Sequence, residues 1–298
     1  MMKAKSPLTT RGERIFGVIN SIFMVLLALI CLLPMVHVIA VSFSDSAAAS
    51  ANQVRFWPKG FNTLAYEMIF LNPVFLRAFG VSVLRTVLGT GLNLLMTILA
   101  AYPLSKRKGE LKYRGFFMGY FVLTMLIGGG MIPTYLLIKD LHLIDSFWVM
   151  ILPGCVPVFY VIMMMNFFRG ISPSITESAL IDGASEARIL TQIMLPLSLP
   201  SISTIVLFCM VGHWNEWFSG MIYMNSMSKW PLQTLLRYML SSMDQNSLTA
   251  SQISSMRKIS SRSFQAAQIV FATVPIMMVY PFAQKNFISG MTIGAVKE

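Results

Sequence analysis

Two stretches concentrate polar chemistry in an otherwise apolar chain. The first, GHWNEWF, sets His213, Trp214, Asn215, Glu216 and Trp217 side by side at the end of a long uncharged run. Indole faces stack on the C–H faces of sugars, and an amide or a carboxylate bonds to hydroxyls. An ionisable group at membrane depth faces a cavity or a partner rather than lipid. The cluster is therefore a candidate lining for a translocation path. The same residues also suit an interfacial aromatic belt with a structural carboxylate at its outer end, and residue types alone leave both readings open.

The second stretch, ESALIDGASEARILTQIMLP, runs from Glu177 to Pro196. Just before it, Ser172-Pro173 joins a hydroxyl capping residue to a proline at the first helical position. Glu177 sits early enough to complement the positive end of a helix dipole. No breaker interrupts Ser174 to Asp182, and Gly183 suits a helix terminus or a sharp turn. Ala184 to Met194 is again compatible with a helix, and Pro196 opens the next apolar span. The expected product is a helix, a bend and a second helix lying on one membrane face. It mixes Ala179, Ile181 and Ala184 with Glu177, Asp182, Glu186 and Arg188, a surface that fits the groove of a soluble partner. An ordinary connection would look the same on pattern alone.

Other chemistries find little support. Asp45, Asp140, Asp145, Asp182 and Asp244 all fall in connections, and no His-Glu-x-x-His pattern occurs, so an intramembrane enzyme lacks its residues. Gly128-Gly129-Gly130 is followed by no Gly-Lys-Ser/Thr and is not a phosphate loop. With Pro133 it fits either a broken helix on a substrate path or close packing through small residues. Cys31, Cys155 and Cys209 are scattered, one to a run, against any disulfide or metal role. His37 and His142 have no partner at ligand spacing. The 24 methionines suit adaptable packing. Arg85, at the edge of a run, either pairs with Glu216 across a bundle or snorkels to the interface.

These residues need elements to hold them. Of the 298 residues 55% are hydrophobic and 12% charged, with mean hydropathy +0.67, far too little charge to cover a soluble surface. Six stretches lack Asp, Glu, Lys and Arg: 15–41, 86–105, 115–138, 146–168, 189–215 and 263–284. Each reaches the roughly 20 residues a membrane helix needs, and lipid forces backbone groups to pair within the segment. The expectation is an all-α membrane protein of six spans. The first uncharged run is too long for a signal-peptide core and is expected to be retained. The net charge of +11 lies between and beside the runs, which points to topology rather than nucleic acid. With both termini inside, 13 Lys and Arg fall on the cytoplasmic side against 9 outside, and the dense cluster Lys106–Arg114 lies inside. The fifth connection, about 225–262, carries five Lys or Arg against one acid, Asp244, and is either a functional lid or a floppy surface loop.

A family resemblance decides between the readings of the second stretch. Glu177-Ser178-Ala179, three residues, Gly183, nine residues, Ile193, one residue and Leu195-Pro196 resembles the Glu-Ala-Ala loop of ABC-importer permeases. Ser178 in place of the first Ala is the sole departure. LTTRGERIF, RFWPKGFNTLAY, AAYPLSKRK, GGGMIPTYLLIKDLHLID, GHWNEWF, WPLQTLLR and SGMTIGAVKE further resemble the maltose-permease-like carbohydrate branch, across nearly the whole chain.

Within that branch the chain looks like the subgroup importing oligosaccharides of plant or algal origin, of alginate or aldouronate type. The resemblance implies the type I importer permease architecture, N-in and C-in. Residues 1–14 and 289–298 would be cytoplasmic tails and 15–288 the permease domain, with a coupling segment at 172–195. It implies ATPase coupling through Glu177, Ser178, Ala179, Asp182, Gly183, Ile193, Leu195 and Pro196.

The implied partners are a second homologous permease, two ATPase subunits, an extracytoplasmic solute-binding protein, membrane lipid and an oligosaccharide containing uronic acid. The chain would be non-catalytic and bind no cofactor, ATP and Mg belonging to the ATPases, in a bacterial cytoplasmic (inner) membrane. An ABC permease for polyamine or phosphate is the nearest alternative, followed by a standalone channel or an intramembrane enzyme.

Overall fold

The computed structural model describes residues 11–107, 109–242 and 262–278. Residues 1–10, the expected tail 289–298, the end of the sixth run and Asp244, Arg257 and Lys258 of the fifth connection lie outside the described residues. Regular structure among the described residues is helical throughout, in two compact units.

The first unit holds α1 (Arg11–Ser42), α2 (Ser46–Ser50), α3 (Leu64–Leu71) and the start of a helix over 262–278. The apolar window of α1 is 0% buried within the chain. A bare apolar helix of that length is satisfied by lipid or another chain, since its own backbone bonds are already made. At its C-terminus Ser42 Oγ meets the Tyr66 hydroxyl at 2.7 Å, and just beyond it Asn62 N–H donates to the Phe43 carbonyl at 2.8 Å. His37 Nδ1 lies 2.8 Å from the Arg55 carbonyl oxygen, in keeping with its expected structural part.

In the second unit α4 (Pro73–Ser105) is the central element, 33 residues or roughly 50 Å at 1.5 Å per residue. Asn72 caps it through the Val74 N–H at 2.9 Å, with Pro73 in the first turn. The helix therefore begins well before the uncharged run, and Arg77, expected in a connection, lies within it. Its buried face, Ser82, Arg85, Thr86, Gly89, Thr90, Asn93, Thr97 and Ala101, repeats at three and four residues. This polar, small-residue stripe packs against α7 (Val158–Gly170) and α11 (Leu199–Asn215).

The third, fourth and fifth runs are not single helices as expected. The third divides into α5 (Arg114–Leu126) and α6 (Met131–Asp140), which meet at 113°. The break falls on Gly128–Gly130, with Gly130 at φ +81°, so of the two readings of this triplet the structure takes the broken helix. In the fourth, short 3-10 turns over Phe147–Gly154 precede α7 at 48°, with Pro157 at the joint.

The fifth run bends by 80° between Glu186–Leu197 and Leu199–Asn215. The first of these begins as α8's successor in the coupling segment: α8 is Pro173–Ile181, α9 is Glu186–Ile189, and a π turn over Leu190–Met194 leads into α10 (Leu195–Leu197). The π turn places Leu195 N–H on the Leu190 carbonyl and precedes Pro196, whose ring would collide with the carbonyl four residues back in a regular helix. The long helix after the coupling segment thus starts at Leu199-Pro200, not at Pro196.

The fifth connection opens as ordered structure: α12 (Phe218–Tyr223), a 3-10 turn at Met227–Lys229 and α13 (Leu232–Ser242). Leu232, Leu235 and Leu236 of α13 are buried while Tyr238 is exposed, and Leu232 N–H donates to Ser82 Oγ of α4 at 2.8 Å. This start of the connection is packed, which excludes the floppy reading for the described part.

Candidate functional site

Gly183 shapes the bend between α8 and α9. Its φ is +77°, and nothing lies within 4 Å of where a Cβ would stand, so its constraint is torsional rather than steric. Gly183 N–H donates to the Leu180 carbonyl at 3.0 Å and Ala184 N–H to the Ala179 carbonyl at 2.9 Å. Together these form a Schellman cap that satisfies the last carbonyls of α8. Ser185 then caps α9, accepting from Arg188 N–H at 3.4 Å. Two sequence expectations fail in detail. Ser172 precedes Pro173 as expected but makes no capping bond, its hydroxyl meeting Ser174 Oγ at 2.8 Å. Glu177 lies beyond the first turn of α8 and pairs with Arg107 instead of complementing the dipole.

The two halves of the segment are held differently. Ile189 and Met194 are buried with Ala101 and Leu104 of α4 and Phe168 of α7, and Ile193 and Leu195 pack against that cluster. The Glu186 carboxylate takes Lys106 Nζ at 2.8 and 2.7 Å and the Tyr102 hydroxyl. These bonds hold the Glu186 carboxyl below the usual glutamate range, the Lys106 bond being the largest cause. From α8 only Ala179 reaches the core, while Leu180 and Ile181 stand exposed, Ile181 by 87%. Ser178 Oγ donates to the Ser174 carbonyl at 2.8 Å within α8, and Asp182 is its C-cap. Leu104 O, at the end of α4, accepts Arg114 Nε at 2.9 Å and Arg169 Nη2 at 3.0 Å. A groove of about 730 Å³ lies between the segment and the α4–α5 connection, bordered by Lys106, Arg107, Arg169, Glu177 and Glu186.

Farther back along α4 the GHWNEWF residues diverge. Glu216 ends α11 and pairs with Arg85, so the structure takes pairing over snorkelling for this arginine. Arg85 also donates to the Glu216 carbonyl at 2.9 Å, the Met150 carbonyl at 3.2 Å and Ser219 Oγ at 3.1 Å. His213 lies so close to Gly89 that a Cβ there would meet its ring at 2.5 Å. Trp214 is buried, its indole N–H donating to the Ala272 carbonyl at 2.9 Å and its ring edge-on to Phe79 at 5.7 Å. Asn215 is exposed. Trp217 lies under the Arg237 guanidinium, 5.0 Å from the ring centroid. Only His213 and Glu216 of the five border a cavity of about 420 Å³, with Arg85, Asn93, Tyr160 and Ser219. Asn93 Oδ1 and His213 Nε2 are buried there without a protein partner. Nearby, Lys229 reaches the Asp145 carbonyl at 2.8 Å and pairs with its carboxylate, holding that carboxyl below the usual aspartate range. Lys229 and Arg237 are thus engaged, which weakens a freely cationic fifth connection.

Tyr102, Lys106 and Arg107 are the partners that sequence reasoning missed. In the sequence Lys106 and Arg107 stand as topology signals and within the AAYPLSKRK resemblance, without a partner. The available clue was their place right after a span, in a connection on the same expected side as Glu177 and Glu186.

No family model matches the chain. It is 42% identical over 290 residues to Protein LplC of Bacillus subtilis, covering 97% of each chain. It is 40% identical over 285 residues to a polygalacturonan/rhamnogalacturonan transport system permease, YtcP, of the same organism, covering 96% of this chain and 99% of the relative. A solved bacterial ABC transporter chain, from the importer of the acidic polysaccharide alginate, superposes with TM-score 0.87 at 30% identity, covering 95% of this chain and 100% of that one. The chain belongs to the permease subunits of sugar-importing ABC transporters.

Proposed function

We propose that this permease imports uronic-acid-containing oligosaccharides by alternating access, driven by two ATPase subunits that dock on the coupling segment. The observation that carries the docking is α8 itself: it ends on a glycine-dependent cap, offers exposed Leu180 and Ile181, and is backed by an anchored second helix. The substrate class rests on the relatives. One is named for polygalacturonan, a polyuronate, and the solved neighbour imports acidic alginate. In this reading the chain spans a bacterial cytoplasmic membrane six times, with both termini and the coupling segment inside. A second permease completes the path, a solute-binding protein delivers substrate outside, and ATP and Mg bind on the ATPases while this chain performs no catalysis. Asn93, His213 and the Arg85–Glu216 pair border the path in this subunit.

The test is ATP hydrolysis by the reconstituted complex with its binding protein, challenged with uronic and neutral oligosaccharides. Uronic ones are expected to stimulate hydrolysis and uptake. Stimulation by neutral oligosaccharides alone would overturn the substrate class and leave the permease standing.

A further inference from the structure

A coupling segment must be fastened to the helices it moves, and the two halves of this one are fastened unequally. α8 touches the rest of the unit through Ala179 and one exposed ion pair, Glu177 with Arg107. The half that starts at Glu186 is sunk into the core at Ile189 and Met194. Its first carboxylate is gripped by two side chains one turn apart on α4, Tyr102 and Lys106, and Lys106 Nζ also lies 4.9 Å from the Tyr102 ring centroid. Roughly four to five turns back along the same α4 stand Arg85 and Gly89, where the helix meets Glu216 and His213.

We infer that Tyr102, Lys106 and Glu186 form a clasp that ties the coupling segment to α4, so that α4 carries displacement of the segment to the Arg85–Glu216 pair farther along the helix. The inference rests on the permease reading above. These three are positioning residues, since they lie in this chain's own frame and touch neither nucleotide nor substrate. An ion pair this open to solvent adds little to folding, so its value is directional. It fixes the position of Glu186 along α4, adding a directed restraint to the apolar packing of Ile189 and Met194. Gly183 adds the complement, a turn with open space around it, letting α8 follow its partner while the clasp holds the other half.

The experiment measures uptake per ATP hydrolysed in the full complex in proteoliposomes, for wild type, Glu186→Gln, Lys106→Met and the charge-exchanged double variant Lys106→Glu with Glu186→Lys. Severing the clasp is expected to lower that ratio at least threefold while ATP hydrolysis continues, and the exchanged pair is expected to recover at least half of the loss. An unchanged ratio in the single variants overturns the clasp. So does a fall in uptake and hydrolysis together that tracks the amount of assembled complex, which is what a merely structural pair would give. A wild-type complex with no ATP-driven uptake overturns the permease reading itself, and is told apart by being read before any substitution.

Discussion

α4 carries two ion pairs of opposite character, one within its first half and one at its C-terminus. At the first site Arg85 is 3% exposed and Glu216 33%, and Arg85 has carbonyl and hydroxyl partners besides the carboxylate. At the other, Lys106 is 21% and Glu186 56% exposed, and Arg107 and Glu177 are more open still. A desolvated pair with all its neighbours in place is costly to break because one charge is then stranded. A solvated pair exchanges its partner for water at little cost. The first kind locks helices together, joining α4, the Met150 turn and the α11–α12 junction. The second adds little to stability, so what it contributes is the direction in which it holds Glu186 against α4.

The sharpest way to break the comparison is to strand a charge at the locked site. Glu216→Ala leaves the Arg85 guanidinium without its carboxylate and is expected to cost about 3–5 kcal/mol. The readout is thermal unfolding of the purified complex in detergent. Adding Arg85→Met to Glu216→Ala should recover part of that loss, since no buried charge then remains. If Glu216→Ala melts like wild type, the pair is not the lock described here.

An intermediate effect is expected at Gly183. Leucine there forces a side chain into the left-handed region, a cost of about 1–2 kcal/mol, with no steric clash added because the surroundings are open. Coupled uptake should fall, whereas Gly183→Asn, which tolerates that conformation, should stay close to wild type. Equal losses in both variants would show that the site needs an absent side chain rather than a positive φ.

The smallest effect is one of pH. The groups facing Glu186 are Lys106 and Tyr102 on α4, with Glu110 near the tyrosine. Because its carboxyl is held low in the folded protein, the clasp is fully present above the ordinary glutamate value near 4.3. It is lost only as pH falls through the lowered one. Hydrogen exchange of 186–189 in the isolated permease should stay flat from pH 7 to about 5, after correction for intrinsic rates. Protection should then fall at more acid pH in wild type but not in Glu186→Gln. A decline beginning near pH 6 in wild type would mean that the carboxylate is not held low.

Much of this molecule follows from its sequence. Uncharged runs of 20 or more residues require helices in lipid. The interval from Glu177 to Pro196 carries the helix–turn–helix because local signals suffice: Pro173 to start, a residue tolerant of positive φ at 183, and a hydroxyl cap at Ser185. Tertiary structure decided the rest. The glycine triplet left a broken helix as one of two readings, and packing decided it, along with the bends at Pro157 and Ser198 that composition did not mark. Whether Arg85 pairs or snorkels depends on a chain separation of 131 positions to Glu216 closing into one bundle. The GHWNEWF residues are adjacent in sequence, yet a helix end turns each in a different direction, sending Trp214 to Ala272 and Glu216 to Arg85. The grip of Tyr102 and Lys106 on Glu186 spans 84 and 80 residues, a separation at which local patterning carries no information about contact.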